Sequence, residues 1–310
     1  MIGKISPGLK VVYYYITFEC NLRCKHCYVG NKLASCNHAD YDGIVSHLAK
    51  CFAQGARKVV FLGGEATLHP RYFDLLDTAA KIGFDQIIVD TNGVSQYPVP
   101  PGSWTHDRLT IRLGFEGPDS TTHDFIRGKN TFEKAIDTLR RVVRQQIRTE
   151  VTLTVNAMNV NQLTQAVVFF EHERVNELNF HFMSLVGNGK QNIELGLSAD
   201  LILSAQKQLN ILKSAHSIAL RFPQLLVRRE SRLSAEWKHN KQCRLFKPDV
   251  LLILPGGQMC RCPLQITADL DFRSIEPIPN MQDHCPYINY LLPNGIPEEY
   301  DATCISWKGN

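Results

Sequence analysis

Six short apolar runs recur ahead of residue 190: Val11–Phe18, Lys58–Leu62, Gln86–Asp90, Leu109–Phe115, Glu150–Val155 and Glu177–Phe182. Most are nearly continuous rather than alternating. That is the pattern of strands covered on both faces of a parallel sheet. Between them the spacing becomes helical, over 41–54, 71–82, 131–146 and 160–172. In the third of these, Phe132, Ala135, Ile136, Leu139, Val142 and Val143 share one face. Asn130 with Glu133 predicts a capping box at its start. Strands alternating with helices predict an α/β fold, here a partial (β/α)6 TIM-like barrel of parallel strands. The Pro-rich stretch 96–107 predicts a connection without a full helix.

Beyond residue 190 the pattern changes. Residues 198–214 read as a helix, an Arg-rich stretch follows, and from Cys243 onward short strands, Pro/Gly turns and cysteines dominate. The predicted organisation is a barrel core over 1–215, a helical linker over 216–242 and a small cysteine-rich extension over 243–310.

Composition narrows the function classes. The net charge of +4 is spread along the chain, which argues against a nucleic-acid surface. No apolar run is long enough for a membrane span. The N-terminus lacks a signal-peptide pattern, so a cytoplasmic, reducing location is expected. There, ten cysteines are expected as metal ligands or free thiols rather than disulfides.

Three of them are crowded into "ITFECNLRCKHCY", residues 16–28. Cys20, Cys24 and Cys27 follow a predicted strand directly, at the end where barrel enzymes keep their chemistry. A [4Fe–4S] cluster usually takes four thiolates, so three leave one iron open to a ligand. The competing reading is zinc, with His26 or His38 as the fourth ligand.

The spacing of this loop resembles the CxxxCxxC motif of the radical S-adenosylmethionine (SAM) enzymes. In that family the open iron chelates SAM, and one electron cleaves SAM to a 5′-deoxyadenosyl radical that takes a hydrogen atom from the substrate. "FLGGEATLHP" resembles the family's GGEP motif and implies Gly63, Gly64 and Glu65 as SAM contacts, with Ala66 where Pro is usual. The two glycines are expected to let a ligand approach the backbone. "VDTNG" resembles the TNG segment and implies Asn92. "LGFEGPDSTTHDFIRGKNTFEKA" resembles a segment of the SPASM and twitch subgroups. It implies Glu116 for the SAM ribose and Arg127 for the SAM carboxylate, with Gly114 where Ser is usual. The plainer reading of Arg127 is an ion pair with Asp124 or Glu133. Asn156 is a further implied SAM contact, and the Gly-rich stretch after Phe182 an implied adenine cradle. His181, on an apolar strand, reads as a core histidine.

"CRLFKPDVLLILPGGQMCRC" places thirteen residues between Cys243 and Gly257 and four between Gly257 and Cys262. This resembles the cysteine hairpin of SPASM and twitch domains. It implies one auxiliary [4Fe–4S] cluster on Cys243, Cys262, Cys285 and Cys304, with Cys260 as the rival of Cys262. Cys36 and Cys51 match no motif and read as ordinary thiols. The implied activity is modification of a ribosomally made peptide or protein by cross-linking, oxidation or epimerisation. The alternatives are a small-molecule enzyme, such as an aminocyclitol or sugar dehydrogenase, and a non-enzymatic iron–sulfur electron carrier. Reduced flavodoxin or ferredoxin is the implied electron donor. Only nineteen residues precede Cys20, so no leader-recognition domain is expected at the N-terminus, which favours a small-molecule substrate or a separate leader-peptide recognition protein.

Overall fold

The structure, a computed structural model, describes residues 5, 7–95, 97–100, 106–228, 249–260, 266, 291–292, 296–297 and 299–302. All six predicted strands are present: β1 (Val11–Thr17), β2 (Lys58–Gly63), β3 (Gln86–Thr91), β4 (Leu109–Phe115), β5 (Arg148–Val155) and β6 (Glu177–Phe182). The predicted helices are α1 (Tyr41–Ala53), α2 (Tyr72–Ile82), α4 (Phe132–Arg144), α5 (Leu163–His172) and α6 (Ala199–Ala215). An additional helix, α3 (Ser120–Arg127), lies between β4 and α4. It is only eight residues long and mostly polar, so it offers few apolar positions from which a helix can be read. The connection at 106–108 is a single 3-10 turn.

The six strands pair in order, all parallel. The sheet extends past both ends. β7 (Ala219–Arg221) pairs parallel to β6, and β9 (Val250–Ile253) pairs parallel to β1. β10 (Met259–Cys260) turns back antiparallel on β9. β8 (Leu226–Arg228) pairs instead with β11 (Tyr300–Ala302). Residues 219–221 and 226–228 are therefore strands where a helical linker was expected. The sheet of the core also recruits residues from the expected C-terminal unit.

Each strand alternates two faces. Ile111, Leu113 and Phe115 of β4, and Phe180 and Phe182 of β6, pack into the main core beneath the helices. Phe115 meets Phe132 and Phe170 edge-on. Burying each such ring contributes about 1.5–3 kcal/mol. The other face lines the concave side of the sheet. Near β9, β1 and β2 it is apolar, with Tyr15, Val60, Leu62, Leu252 and Cys260. Across β3 to β7 it is charged. Arg112 bridges Asp90 at 3.0 Å and Glu150 at 2.8 Å. Glu177 is held by Arg221 at 2.7 Å and Arg148 at 3.3 Å.

The expected capping box at α4 is not formed. Asn130 has φ +60°. The cap is instead the Asp124 carboxylate, which accepts N–H bonds from Asn130 at 2.7 Å, Thr131 at 3.1 Å and Phe132 at 2.8 Å. A side chain from the preceding helix does what the local sequence was expected to do.

Candidate functional site

The three-cysteine loop leaves β1 through an irregularity. Tyr15 pairs with Leu62 and Thr17 with Gly63, so β1 carries one extra residue at Ile16. The Thr17 hydroxyl accepts the Glu19 N–H at 2.9 Å, and the Cys27 N–H closes a turn on the Cys24 carbonyl at 3.1 Å. Cys24 is buried, and Cys20 and Cys27 are half-buried. Burial pushes the Cys20 thiol up to about 11, against the Leu22 N–H that it accepts. Burial likewise pushes Cys24 up to about 12, against the nearby Arg127. A metal that binds here must displace those protons.

Three free cysteines on one short loop form the donor set, and three thiolates suit a cluster that keeps one iron open. Among the described residues, no three His, Cys, Asp or Glu side chains stand close enough to hold a single metal ion. His26 is bound to Glu116, and His38 Nε2 lies 3.1 Å from Glu19 Oε2. The three thiols still lie within one another's electrostatic reach. A cubane cluster spreads its thiolates more widely than one ion does.

Three parts of the sheet's C-terminal rim grip the loop. The first follows β2. The N–H groups of Gly64 and Glu65 donate to the carbonyls of Thr17 and Glu19 at 2.9 and 2.8 Å. A Cβ on Gly63 would lie 2.0 Å from Thr17 O, and one on Gly64 2.2 Å from Glu19 O. One close approach that demands glycine here is to the chain's own backbone. Glu65 is buried and turned inward. It accepts from the Thr67 and Thr91 hydroxyls, both at 2.6 Å, and from the Asn92 N–H at 2.7 Å. This also caps the 3-10 turn Ala66–Leu68, so the turn holds without the proline usual at 66. The Asn92 side chain donates to Asn21 Oδ1 in the loop at 2.8 Å.

The second grip comes from β4 and α3. The Lys25 N–H donates to the Ile126 carbonyl at 2.9 Å, and the Lys25 ammonium sits 4.0 Å above the Phe125 ring. His26 Nε2 lies 2.6 Å from Glu116 Oε1. Arg127 donates to the same oxygen through Nε at 2.8 Å and a terminal nitrogen at 2.7 Å. Arg127 therefore pairs with neither Asp124 nor Glu133. Burial raises the Glu116 carboxyl, but His26 and Arg127 outweigh it and hold Glu116 below the usual carboxylate range. Its other oxygen, Oε2, is buried with no hydrogen-bond partner. An orphaned buried acceptor of this kind fits a bound donor such as a sugar hydroxyl.

The third grip follows β6. The Asn188 N–H donates to the Cys27 carbonyl at 2.9 Å, and its side chain to the Cys24 carbonyl at 3.0 Å. The Asn192 side chain donates to the Lys25 carbonyl at 3.2 Å. The Gly-rich stretch read as an adenine cradle thus lies against the cysteine loop. Asn156 closes the end of β5, donating to the Thr154 carbonyl and accepting the Met158 N–H. Asn159, which sequence reasoning missed, ties β5 to β4 by donating to the Glu116 carbonyl at 2.8 Å. His26, Asn188 and Asn192 were missed as positioning residues too. The available signal was the crowding of His26 between two cysteines and of Asn188 between two glycines.

His181 is half-buried and faces the concave side, between the core residues Phe180 and Phe182. Burial, with Arg112 nearby, lowers its ring to about 4. Cys243, Cys262, Cys285 and Cys304 lie outside the described residues. Cys260 is buried in the apolar half of the concave face. Cys51 is buried in the main core, and Cys36 is exposed.

Comparison with known proteins agrees with this geometry. The sequence profile described as "Radical SAM superfamily" matches residues 14–166. The sporulation killing factor maturation protein SkfB of Bacillus subtilis is 25% identical over 49% of this chain and 37% of its own length. The Fe-coproporphyrin III synthase of Methanosarcina barkeri is 24% identical over 64% of this chain and 52% of its own. The chain thus spans about half, or less, of the length of these relatives. The crystal structure of Streptococcus suis SuiB bound to precursor peptide SuiA superposes with a TM-score of 0.66 at 14% identity, covering 87% of this chain and 63% of that one. The fold is shared with it. No helix among the described residues is long and apolar enough to cross a membrane.

Proposed function

Because residues 14–166 match the profile of the radical SAM superfamily, we propose that the chain is a member and that Cys20, Cys24 and Cys27 hold a [4Fe–4S] cluster with one iron open to SAM. The observation that carries this is the cysteine loop itself. One buried and two half-buried thiols lie on a short loop gripped from three strand ends, and a buried carboxylate oxygen beside it has no partner. Bound there, the cluster supplies the electron that cleaves SAM to the radical that takes a hydrogen atom from the substrate.

The protein's part is to aim and to shield. Glu116 Oε2 accepts a ribose hydroxyl of SAM, and Arg127 offers the SAM carboxylate the guanidinium edge that Glu116 leaves. Gly63, Gly64 and Glu65 shape the rim where the amino group of SAM sits, and Glu65 acts through the hydrogen bonds that fix that rim. Asn92 and Asn156 hold neighbouring strand ends. The substrate enters the concave face, between its apolar and charged halves. Cys243, Cys262, Cys285 and Cys304 hold the auxiliary cluster, with Cys260 as the rival ligand.

The substrate is a ribosomally made peptide. Relatives named for peptide maturation and the shared fold of a peptide-bound structure support this. A small-molecule substrate is the second reading, supported by the longer match to a tetrapyrrole synthase. A flavodoxin- or ferredoxin-type protein donates the electron. The test is anaerobic reconstitution with iron and sulfide counts per chain, for the wild type and for Cys20/Cys24/Cys27→Ala. The wild type should cleave SAM to 5′-deoxyadenosine under a strong reductant, and the variant should not. About four irons left in the variant support the auxiliary cluster. Equal iron in both, or SAM cleavage by the variant, defeats the assignment of these cysteines.

A further inference from the structure

We infer that the buried Glu116–Arg127 pair sets the reduction potential of the cluster on Cys20, Cys24 and Cys27, and that Gly114 exists to admit the Arg127 guanidinium. This rests on the cluster assignment above.

The geometry begins at Gly114. A Cβ there would stand 2.4 and 2.7 Å from the two terminal nitrogens of Arg127 and 2.8 Å from its Cζ. The glycine of β4 is therefore the space that the guanidinium fills, and the residue at 114 and the arginine at 127 depend on each other. Arg127 then meets Glu116 Oε1 at 2.7 Å, and His26 reaches the same oxygen at 2.6 Å from between Cys24 and Cys27. The Glu116 side chain is 0% exposed and that of Arg127 10%. The cysteine loop thus has one buried anion and one buried cation fixed against it, and the cation lies within electrostatic reach of Cys24 and Cys27.

Reduction adds one negative charge to a cluster. A fixed cation nearby favours that charge and a fixed anion opposes it, and the effect grows where water is excluded. In the intact pair the two contributions largely cancel. Removing either partner leaves the other uncompensated, so the two removals act with opposite sign. A pair that merely stiffened the loop would show no such sign. Losing either partner would then loosen the site in the same way.

The test is a redox titration of the anaerobically reconstituted full chain, without SAM, followed by electron paramagnetic resonance of the reduced cluster. Cys243, Cys262, Cys285 and Cys304 stay intact, and the signal lost in Cys20/Cys24/Cys27→Ala identifies the site. Arg127→Gln is expected to lower the midpoint potential and Glu116→Gln to raise it. The double variant should return towards wild type, and Arg127→Lys should recover most of the single loss. Should Arg127→Gln fail to hold iron, Gly114→Ala keeps both charges while displacing the guanidinium, and should lower the potential too. Shifts of the same sign for Arg127→Gln and Glu116→Gln, or no shift in Arg127→Gln and Gly114→Ala, overturn the inference. A wild type with no signal dependent on Cys20, Cys24 and Cys27 overturns the cluster assignment instead, so the two failures are distinguishable.

Discussion

At the scale of single residues, several side chains do work that their neighbours in sequence do not reveal. His123 of α3 is fully buried between Phe115 and Phe132, and neither ring nitrogen has a hydrogen-bond partner. Burial, reinforced by Arg127, lowers its ring from 6.5 to about 3. The folded state therefore keeps His123 neutral where the unfolded chain would protonate it. Its contribution is fully present above pH 6.5 and is lost as the pH falls towards 3. His123→Phe should stabilise the fold by about 1 kcal/mol at neutral pH by removing two orphaned atoms. At about pH 5 the gain should grow by about 2 kcal/mol. Denaturant titrations at the two pH values check this, and equal gains at both would refute the linkage. Gly63 and Gly64 teach a related lesson. Their presence at a strand end was legible, but the partner that requires them, the 17–19 backbone, was not.

At the scale of elements, the periodic segments were read to within a few residues, and the short ones were missed. α4 has six residues of clear apolar spacing behind its reading. α3 has few, and β7 and β11 have three residues each, too short to show any period. The start of α4 shows why caps are harder than helices. Its N–H groups are bonded by Asp124, which the hydrogen bonds reach from six to eight residues upstream. Asp124→Ala should cost about 1–2 kcal/mol of stability, measured by urea titration. Asn130→Ala and Glu133→Ala should each cost clearly less. A cost at Glu133 as large as at Asp124 would restore the capping box.

At the scale of the whole molecule, parallel pairing gathers residues from distant strands onto one concave face. Asp90, Arg112 and Glu150 stand in register on β3, β4 and β5, and Glu177 continues the row on β6. Arg112 is 17% exposed and serves two carboxylates at once. Burial raises the Asp90 carboxyl against the pull of Arg112. Arg112→Leu leaves the buried Glu150 and the one-third exposed Asp90 without their shared cation, and should cost about 2–3 kcal/mol, below the loss for a fully buried pair because solvent screens Asp90. Thermal unfolding followed by circular dichroism measures this, and adding Glu150→Leu to the same chain should recover part of the loss. No recovery would mean that Arg112 acts by packing rather than by charge.

The sequence by itself determined what is local and periodic. Six strands, five helices, the spacing of Cys20, Cys24 and Cys27, and the order of motifs along the strand ends can all be read without coordinates. Those features depend on neighbouring residues, so the chain states them directly. Only the tertiary structure decided which side chains share a partner. His26 and Glu116 are 90 residues apart, and Asn188 and Cys24 are 164. The addition of β7 and β9 to the sheet, the service of Gly114 to Arg127, and the grip of Asn188 on the cysteine loop all arise from strands brought side by side. Such pairings leave no periodic trace in one chain, because what selects them is the space left when the parallel sheet closes around its rim.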